Sequence, residues 1–399
     1  MLAASFIAVC FAEFLGDYFL NRGDAVSLQR AVWLQPGNAD YLDRLGVSYT
    51  LPSFFPAQAL AAFQKAVQLD PHRSRFWLDL ADAYQEINDK DQQAFALDRA
   101  IAVDPRAPEV AWLEANLYAA RQDSPLALKQ IRTVLESTPY LAPAALTLMW
   151  RINPDIDSNL QQVIPADSKA YYALLGLLMS KGETAAAQKT WDAMVHLQKP
   201  IERQAVFDYV RYLILQSDVD QAAAVWRQAS SLSGLTAYQP TPQNLIVNGD
   251  FSLDVLNGGF DWLYSKSNDI SLALDPTEVF EGRRSLKIKF DSRAIEDAGI
   301  RQLVPVQPST KYEFSSYFKA TDMEGAGGPR IAVQDVYDQS LYFAGEEIKD
   351  TDDWKQISGT FTTGPNSKLL VVHIQRVPPG RPIRGKLWID NLSLTAEPK

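Results

Sequence analysis

The chain has little of several things. A single cysteine, Cys10, among 399 residues excludes an intramolecular disulfide and leaves the redox compartment open. Three histidines, His72, His196 and His373, lie too far apart along the chain to suggest a His-rich metal centre. Basic residues are the minority, 38 Lys and Arg against 48 Asp and Glu, giving a formal charge of −10 and a pI near 5.0. Nothing in that balance could neutralise a phosphate backbone, so nucleic acid is not an expected partner. The apolar run at the N-terminus, Leu2 to Ala12, ends at Glu13; it is too short to span a bilayer, and no Lys or Arg precedes it as a signal peptide requires. Catalytic phrases are missing too. There is no GxSxG, Cys10 has no histidine nearby, and the glycine-rich "EGAGGP" lacks the lysine and helix of a phosphate-binding loop. The acidic phrases "GEEIKDTDDW" and "RAIEDAG" read as solvated turns, so no enzyme is expected, with glycan hydrolysis by a carboxylate pair as the remote alternative.

What is there is a folded composition, 47% hydrophobic and 22% charged, in a length that calls for two or three domains. Residues 1–20 admit two main readings: the first helix of a helical domain, or the trailing part of a truncated membrane anchor. A third, a lipoprotein box "IAVC" ending at Cys10, is weakened by Val9, larger than such a site favours.

Prolines expose an internal period. Pro36, Pro71, Pro105 and Pro139 follow one another at steps of 35, 34 and 34 residues, closing the phrases "RAVWLQP", "KAVQLDP", "RAIAVDP" and "RTVLESTP". Five residues before each proline stand Ala31, Ala66, Ala100 and Val134; eight before stand Leu28, Phe63, Leu97 and Ile131. The preceding helices "YLDRLGVSY", "FWLDLADAY" and "AWLEANLY" supply a large residue, a Leu with a small neighbour, and a Tyr, as two closely packed antiparallel helices need. Together these phrases resemble the tetratricopeptide repeat. After Pro139 the pattern loosens, then returns with Ala187, Trp191 and Met194 answered 35 residues later by Ala222, Trp226 and Ala229. A solenoid of six or seven helix pairs is expected over 21–236, binding protein partners through its groove without chemistry of its own. The aromatic residues of the repeats are expected to be core.

"AYQPTPQ", with Pro240 and Pro242, ends the helical pattern, and 237–243 reads as a linker. Beyond it the period changes from 3.6 to 2. "NLIVNGDF", "SLKIKF", "IRQLVPV", "YEFSSYFKA", "RIAVQDVYD", "WKQISGTFTT", "KLLVVHIQRV" and "KLWIDNLSL" read as short strands between turns, which makes 244–396 an all-β sandwich or jelly roll. The fold class is thus multidomain: an all-α solenoid followed by an all-β domain. In order, "NLIVNGDF", "FDW", "EGRRSLKIKF", "VPVQPSTKYEFSSYFKA", "WKQISGTFTT" and "LWIDNLSL" resemble the carbohydrate-binding modules of families four and nine.

That resemblance implies two sites. A structural calcium would take oxygen ligands from Asp250 and Asp390, although Ser252 stands where an acid is usual and Asn391 where Asp is common. A glycan would need aromatic platforms flanked by amides or charged groups. Strand alternation, with Phe314, Phe318, Ile331, Val333, Leu387 and Ile389 inward, turns Tyr317, Gln334 and Trp388 outward; with Tyr337 and the face-sharing pair His373 and Gln375 they form the expected lining. The expected role is a non-catalytic scaffold joining a protein partner to a polysaccharide, in exopolysaccharide production or export. It would sit in the bacterial cell envelope on the periplasmic side, held by the inner membrane where residues 1–20 are an anchor, with a cytoplasmic site also open. The alternative is an adaptor whose sandwich binds no sugar.

Overall fold

The proline-ended phrases become helix pairs. Seven pairs run from α1 to α14 in the computed structural model, which describes residues 2–50, 55–105, 107–265, 267, 269–351 and 353–397. The first five pairs are α1 (Leu2–Arg22) with α2 (Ala25–Leu34), α3 (Ala39–Thr50) with α4 (Pro56–Leu69), α5 (Ser74–Glu86) with α6 (Lys90–Val103), α7 (Pro108–Ala120) with α8 (Ser124–Ser137), and α9 (Ala142–Ile152) with α10 (Ile156–Gln162). The last two are α11 (Ser168–Lys181) with α12 (Thr184–His196) and α13 (Arg203–Leu215) with α14 (Val219–Gln228). Two compact units divide the chain, Met1–Ala166 and Asp167–Lys399.

In the first unit the small residue five before each repeat proline lies where helices touch: Ala31, Ala66, Ala100 and Val134 are wholly buried. Gly46 explains one such approach, because a Cβ there would stand 2.6 Å from the Phe63 ring. Asp24, Asp89 and Asp123 cap α2, α6 and α8 by accepting the N–H of Ser27, Gln92 and Leu126, each cap worth about 1 kcal/mol. α1 belongs to this stack, with the Tyr41 hydroxyl donating to Asp17 Oδ1 at 2.8 Å. No helix among the described residues is long and apolar enough to cross a membrane. The side chain of Cys10, on which the lipoprotein reading rested, lies outside the described residues.

The second unit begins with α11–α14, where Ala187, Trp191, Met194, Ala222, Trp226 and Ala229 are buried as their 35-residue echo implies. Ten strands follow: β1 (Leu263–Tyr264), β2 (Ile270–Asp275), β3 (Ser285–Ile295), β4 (Asp297–Pro305), β5 (Lys311–Gly325), β6 (Gly328–Asp335), β7 (Leu341–Ala344), β8 (Lys355–Thr362), β9 (Leu369–Val377) and β10 (Arg381–Ala396). They make two antiparallel five-stranded sheets, ordered β1-β4-β9-β6-β7 and β2-β3-β10-β5-β8. Phe251, Trp262, Phe290, Tyr312 and Phe314 fill the space between them. Burying each aromatic side chain contributes about 1.5–3 kcal/mol.

"NLIVNGDF" differs from its expectation as a strand. It turns instead, with Asn248 and Phe251 at positive φ; it is tied alongside β10 by Leu245 N–H to Leu394 O (2.9 Å), by Leu392 N–H to Gly249 O (2.9 Å) and by the Asn244 side chain, which donates to Leu392 O (3.0 Å) and accepts the Leu394 N–H (3.1 Å). The reason is local: the Asn248 carboxamide accepts the Leu253 N–H and donates to the Leu253 carbonyl, closing a loop that competes with a ladder. Buried Gln302 completes the hold by clamping Val247 at both backbone groups, 2.7 and 3.0 Å. The proline-rich connector is likewise pinned. Trp226 Nε1 donates to Tyr238 O (2.9 Å), and the Tyr238 hydroxyl donates to Asp254 O (2.9 Å).

Candidate functional site

Period-2 alternation places one polar row on the outer face of the β1-β4-β9-β6-β7 sheet. On β9, Val372 and Ile374 point inward and are buried, so His373 and Gln375 point out. Registers Arg301↔His373 and Arg330↔Gln375 set arginines of β4 and β6 beside them. The row is continuously hydrogen-bonded. Asp297 Oδ2 meets His373 Nδ1 at 2.7 Å, His373 Nε2 meets Gln375 Nε2 at 3.1 Å, and Gln375 Nε2 donates to Gln334 Oε1 at 3.3 Å. Arg330 donates twice to Gln375 Oε1, at 3.0 and 3.1 Å, and Gln334 donates to Gln339 Oε1 at 3.1 Å. One assignment satisfies every partner: Nδ1 of a neutral His373 carries the proton given to Asp297, and its Nε2 accepts from Gln375. The network fixes the rotamers of the row before any ligand arrives, which lowers the entropy cost of binding.

A helix supplies the opposite wall. Between this sheet face and α13 lies a cleft of about 830 Å³, lined by Phe207, Asp208, Arg211 and Leu215 from the helix and by Arg301, Gln334 and His373 from the sheet. Two glycines let the sandwich come so near. A Cβ at Gly258 would lie within 2.6 Å of the Phe207 ring, and one at Gly259 within 2.7 Å of the Trp226 indole. The loop after β6 closes the same side, with the Tyr337 hydroxyl donating to Ile214 O at 2.9 Å. Burial pushes the Tyr337 hydroxyl above its ordinary pKa, consistent with that role as a bolt.

Of the residues expected to line one groove, Gln334 and His373 line this cleft, Gln375 hydrogen-bonds to both, and Tyr337 flanks it. Tyr317 and Trp388 do not, since both belong to the β2-β3-β10-β5-β8 sheet. Tyr317 stacks on Phe280 with ring centroids 3.6 Å apart, beside Trp354 at 5.9 Å from Phe280. Trp388, expected to be exposed, is only 5% exposed. It does point away from Leu387 and Ile389, but β10 is a central strand, and Lys287 and Lys319 stand opposite it on both neighbours, with Lys287 Nζ 5.0 Å from the ring. Its Nε1 donates to Asp275 Oδ2 at 2.9 Å. Burial pushes the Asp275 carboxyl up, but hydrogen bonds from Thr277, Trp388 and Lys287 outweigh it and hold the group well below the usual carboxylate range.

The acidic pair expected to hold calcium is otherwise engaged. Asp390, fully buried, accepts the N–H of Phe280 (2.8 Å), Glu281 (3.1 Å) and Asn391 (2.8 Å). Asp250 accepts the N–H and hydroxyl of its own near neighbour Ser252, at 3.2 and 2.7 Å. Among the described residues no group of three or more His, Cys, Asp or Glu side chains is arranged to hold a metal ion. A calcium ion takes six to eight oxygens, and in this structure the Asp250 and Asp390 carboxylates accept from N–H and O–H donors.

Arg301, Asp297, Arg330 and the helix wall were not among the expected site residues. Asp297 lies in "RAIEDAG", expected as a solvated turn, but it opens β4 and holds His373; Arg330 lies in the expected strand "RIAVQDVYD"; the "GG" of "LNGGFDW" is a signal of close backbone approach.

Comparison with known proteins finds a family match in each part. Residues 56–117 match the family described as "Tetratricopeptide repeat", and residues 243–380 match "Carbohydrate binding domain". A solved structure described as "CBM4 structure and function" is 17% identical, with 38% of this chain covering 99% of that one at a TM-score of 0.29. "Crystal structure of MamA protein" is 19% identical, with 48% of this chain covering 92% of that one at a TM-score of 0.26. The curated "tRNA nuclease WapA" of Bacillus subtilis (strain 168) is 26% identical over 191 residues, 45% of this chain. The chain spans 8% of the length of the curated relatives it matches.

Proposed function

From tetratricopeptide repeats joined to a sandwich of carbohydrate-binding type, we propose that the protein is a non-catalytic scaffold that holds a glycan in the cleft between α13 and the β1-β4-β9-β6-β7 sheet while its repeats hold a protein partner. One observation carries the reading: the pre-ordered Asp297–His373–Gln375–Gln334 row faces an open cleft of about 830 Å³, which accommodates a few sugar units. Amide and imidazole edges offer donors and acceptors to hydroxyls, and Phe207 and Leu215 offer apolar surface to the sugar rings. A polysaccharide-binding scaffold of this kind suits exopolysaccharide production or export at a bacterial cell envelope, with both units outside the cytoplasmic membrane. The activity in the nuclease's name stays with that protein, of which so small a share is matched.

Affinity electrophoresis of the full chain through gels containing neutral and acidic polysaccharides tests the site. Retardation should fall by about tenfold in apparent affinity for His373→Ala or Gln375→Ala, the worth of one or two lost hydrogen bonds, and be unaltered by Tyr317→Ala. Loss with Tyr317→Ala alone would move the site to the Phe280–Tyr317–Trp354 patch on the other sheet. Silence across the panel would favour the adaptor that binds no sugar.

A further inference from the structure

The cleft's charges are unequally engaged. Its two acids are spent. Asp208 receives the Tyr172 hydroxyl (2.7 Å), the Gln204 amide (2.9 Å) and the Arg211 guanidinium (2.9 Å), so both its oxygens are occupied. Asp297 receives the Gly299 N–H (2.7 Å) on one oxygen and His373 on the other (2.7 Å).

Arg301 is the opposite case. It stands mid-strand on β4, between Leu263 of β1 and His373 of β9, and it lines the cleft. Among the described residues its guanidinium has no hydrogen-bond or ion-pair partner, although each of the other charged side chains named here in the cleft has one. A guanidinium presents five donors in a planar fork that matches a carboxylate two bonds at a time. Arg211, on the facing helix, gives only its Nη2 to Asp208 and keeps further donors toward the same space.

Resting on the glycan reading above, we propose that the cleft selects acidic polysaccharides, and that Arg301 is the specificity-determining residue, pairing with a sugar carboxylate such as that of a uronic acid. A neutral glycan would leave the Arg301 fork to water alone. An acidic one would exchange that water for a charge-assisted pair beside a pre-ordered row of amides. Lysine would keep the charge and lose the fork.

The test compares polymers differing only in the carboxylate, with the full chain at low salt: polygalacturonate, alginate and hyaluronate, each against its carboxyl-reduced form, measured by affinity electrophoresis. At least one acidic polymer should bind about tenfold or more tighter than its reduced form. Arg301→Ala should erase that difference, bringing the acidic polymer down to the affinity of its reduced form, and Arg301→Lys should restore only part of it. Tighter binding should also fade as salt is raised. Equal affinity for acid and reduced polymers, or an Arg301→Ala protein as selective as the parent, would overturn the acidic specificity and leave the glycan reading standing. Equal binding of poly-L-glutamate would overturn it too, by exposing a general anion site. Retardation by neutral polysaccharides only would do the same, and no retardation by any polymer, acidic or neutral, would remove both readings. Arg301 is exposed, so its loss leaves the core intact, which circular dichroism of the variant checks.

Discussion

Replacing Gly259 by alanine would attack the joint that makes the cleft. Gly259 has φ +61°, where an L side chain costs about 1–2 kcal/mol. The added Cβ would come within 2.7 Å of Cε3 and Cη2 of Trp226 and closer still to Cζ3, whereas carbon atoms rest at about 3.5–4.0 Å. The indole cannot swing aside. It is 1% exposed, its Nε1 is held by Tyr238 O at 2.9 Å, Phe207 stacks on it at 6.1 Å and Phe260 meets it edge-on at 5.9 Å. The loop must therefore move, and overpacking of this kind costs about 1–3 kcal/mol more. The sum is about 2–5 kcal/mol. With a urea m-value of about 3 kcal/mol/M, the midpoint should fall by roughly 1 M. Two compact units need not unfold together, so the transition is best followed by hydrogen exchange in peptides from 167–399. Gly176→Ala is the control: it lies in α11 with nothing within 4 Å of an added Cβ, and it should be neutral or stabilising by up to about 1 kcal/mol. A Gly259→Ala midpoint within about 0.2 M of the parent would refute the tight closure of this loop on α14, and with it the rigid wall.

Asp261 is fully buried, and burial pushes its carboxyl up to about 6, against hydrogen bonds that include the Leu256 N–H at 2.6 Å. A folded-state pKa above the unfolded value near 3.9 contributes stability fully present below about pH 4 and lost as pH rises through 6, about 3 kcal/mol in all. Asp261→Asn keeps an acceptor for Leu256 and should be the more stable protein at pH 7.5 but not at pH 4; urea midpoints at the two values check this, and an advantage equal at both would contradict it. Because Asp250 and Asp390 spend their oxygens on N–H and O–H donors, the melting temperature should not change on adding EDTA or calcium, and a rise of several degrees with calcium would show that the loop rearranges to bind it.

The fold was legible because burial obeys two periods that need no alignment. Ala66 and Ala100, like Trp191 and Trp226, repeat at helix-pair spacing because each pair must offer the same small or large side chain to the next. The strands from "SLKIKF" to "KLWIDNLSL" showed themselves by alternation, and fell where expected. β1, β2 and the short β7 were missed, being edge strands with half-exposed faces and weak alternation. "NLIVNGDF" misled in the other direction: its apolar residues are buried against Gln302 and β10, but by turns and side-chain clamps that periodicity does not register.

The site was only half legible, for a reason of geometry. Alternation tells which side chains leave the core, but a sandwich has two outer faces, and a single strand's pattern does not say which sheet it joins. His373, Gln375 and Gln334 were grouped with Tyr317 and Trp388 because all five point outward, yet sheet order assigns them to opposite sides of the molecule. Nor does outward mean exposed. On the central strand β10 two lysine stems cover Trp388, whereas on the central strand β9 the row around His373 looks into open space. What selects one face as a cleft is the helix across it. α13 was read as solenoid core, and its buried residues Val206, Tyr209 and Val210 are core. Its other face, with Phe207, Asp208 and Arg211, acquires meaning only once Gly258 and Gly259 let the sandwich close on it. A binding site made in this way belongs to neither repeat nor sandwich alone, so the glycan affinity of the second unit should depend on α13 residues that no carbohydrate-binding module would itself contain.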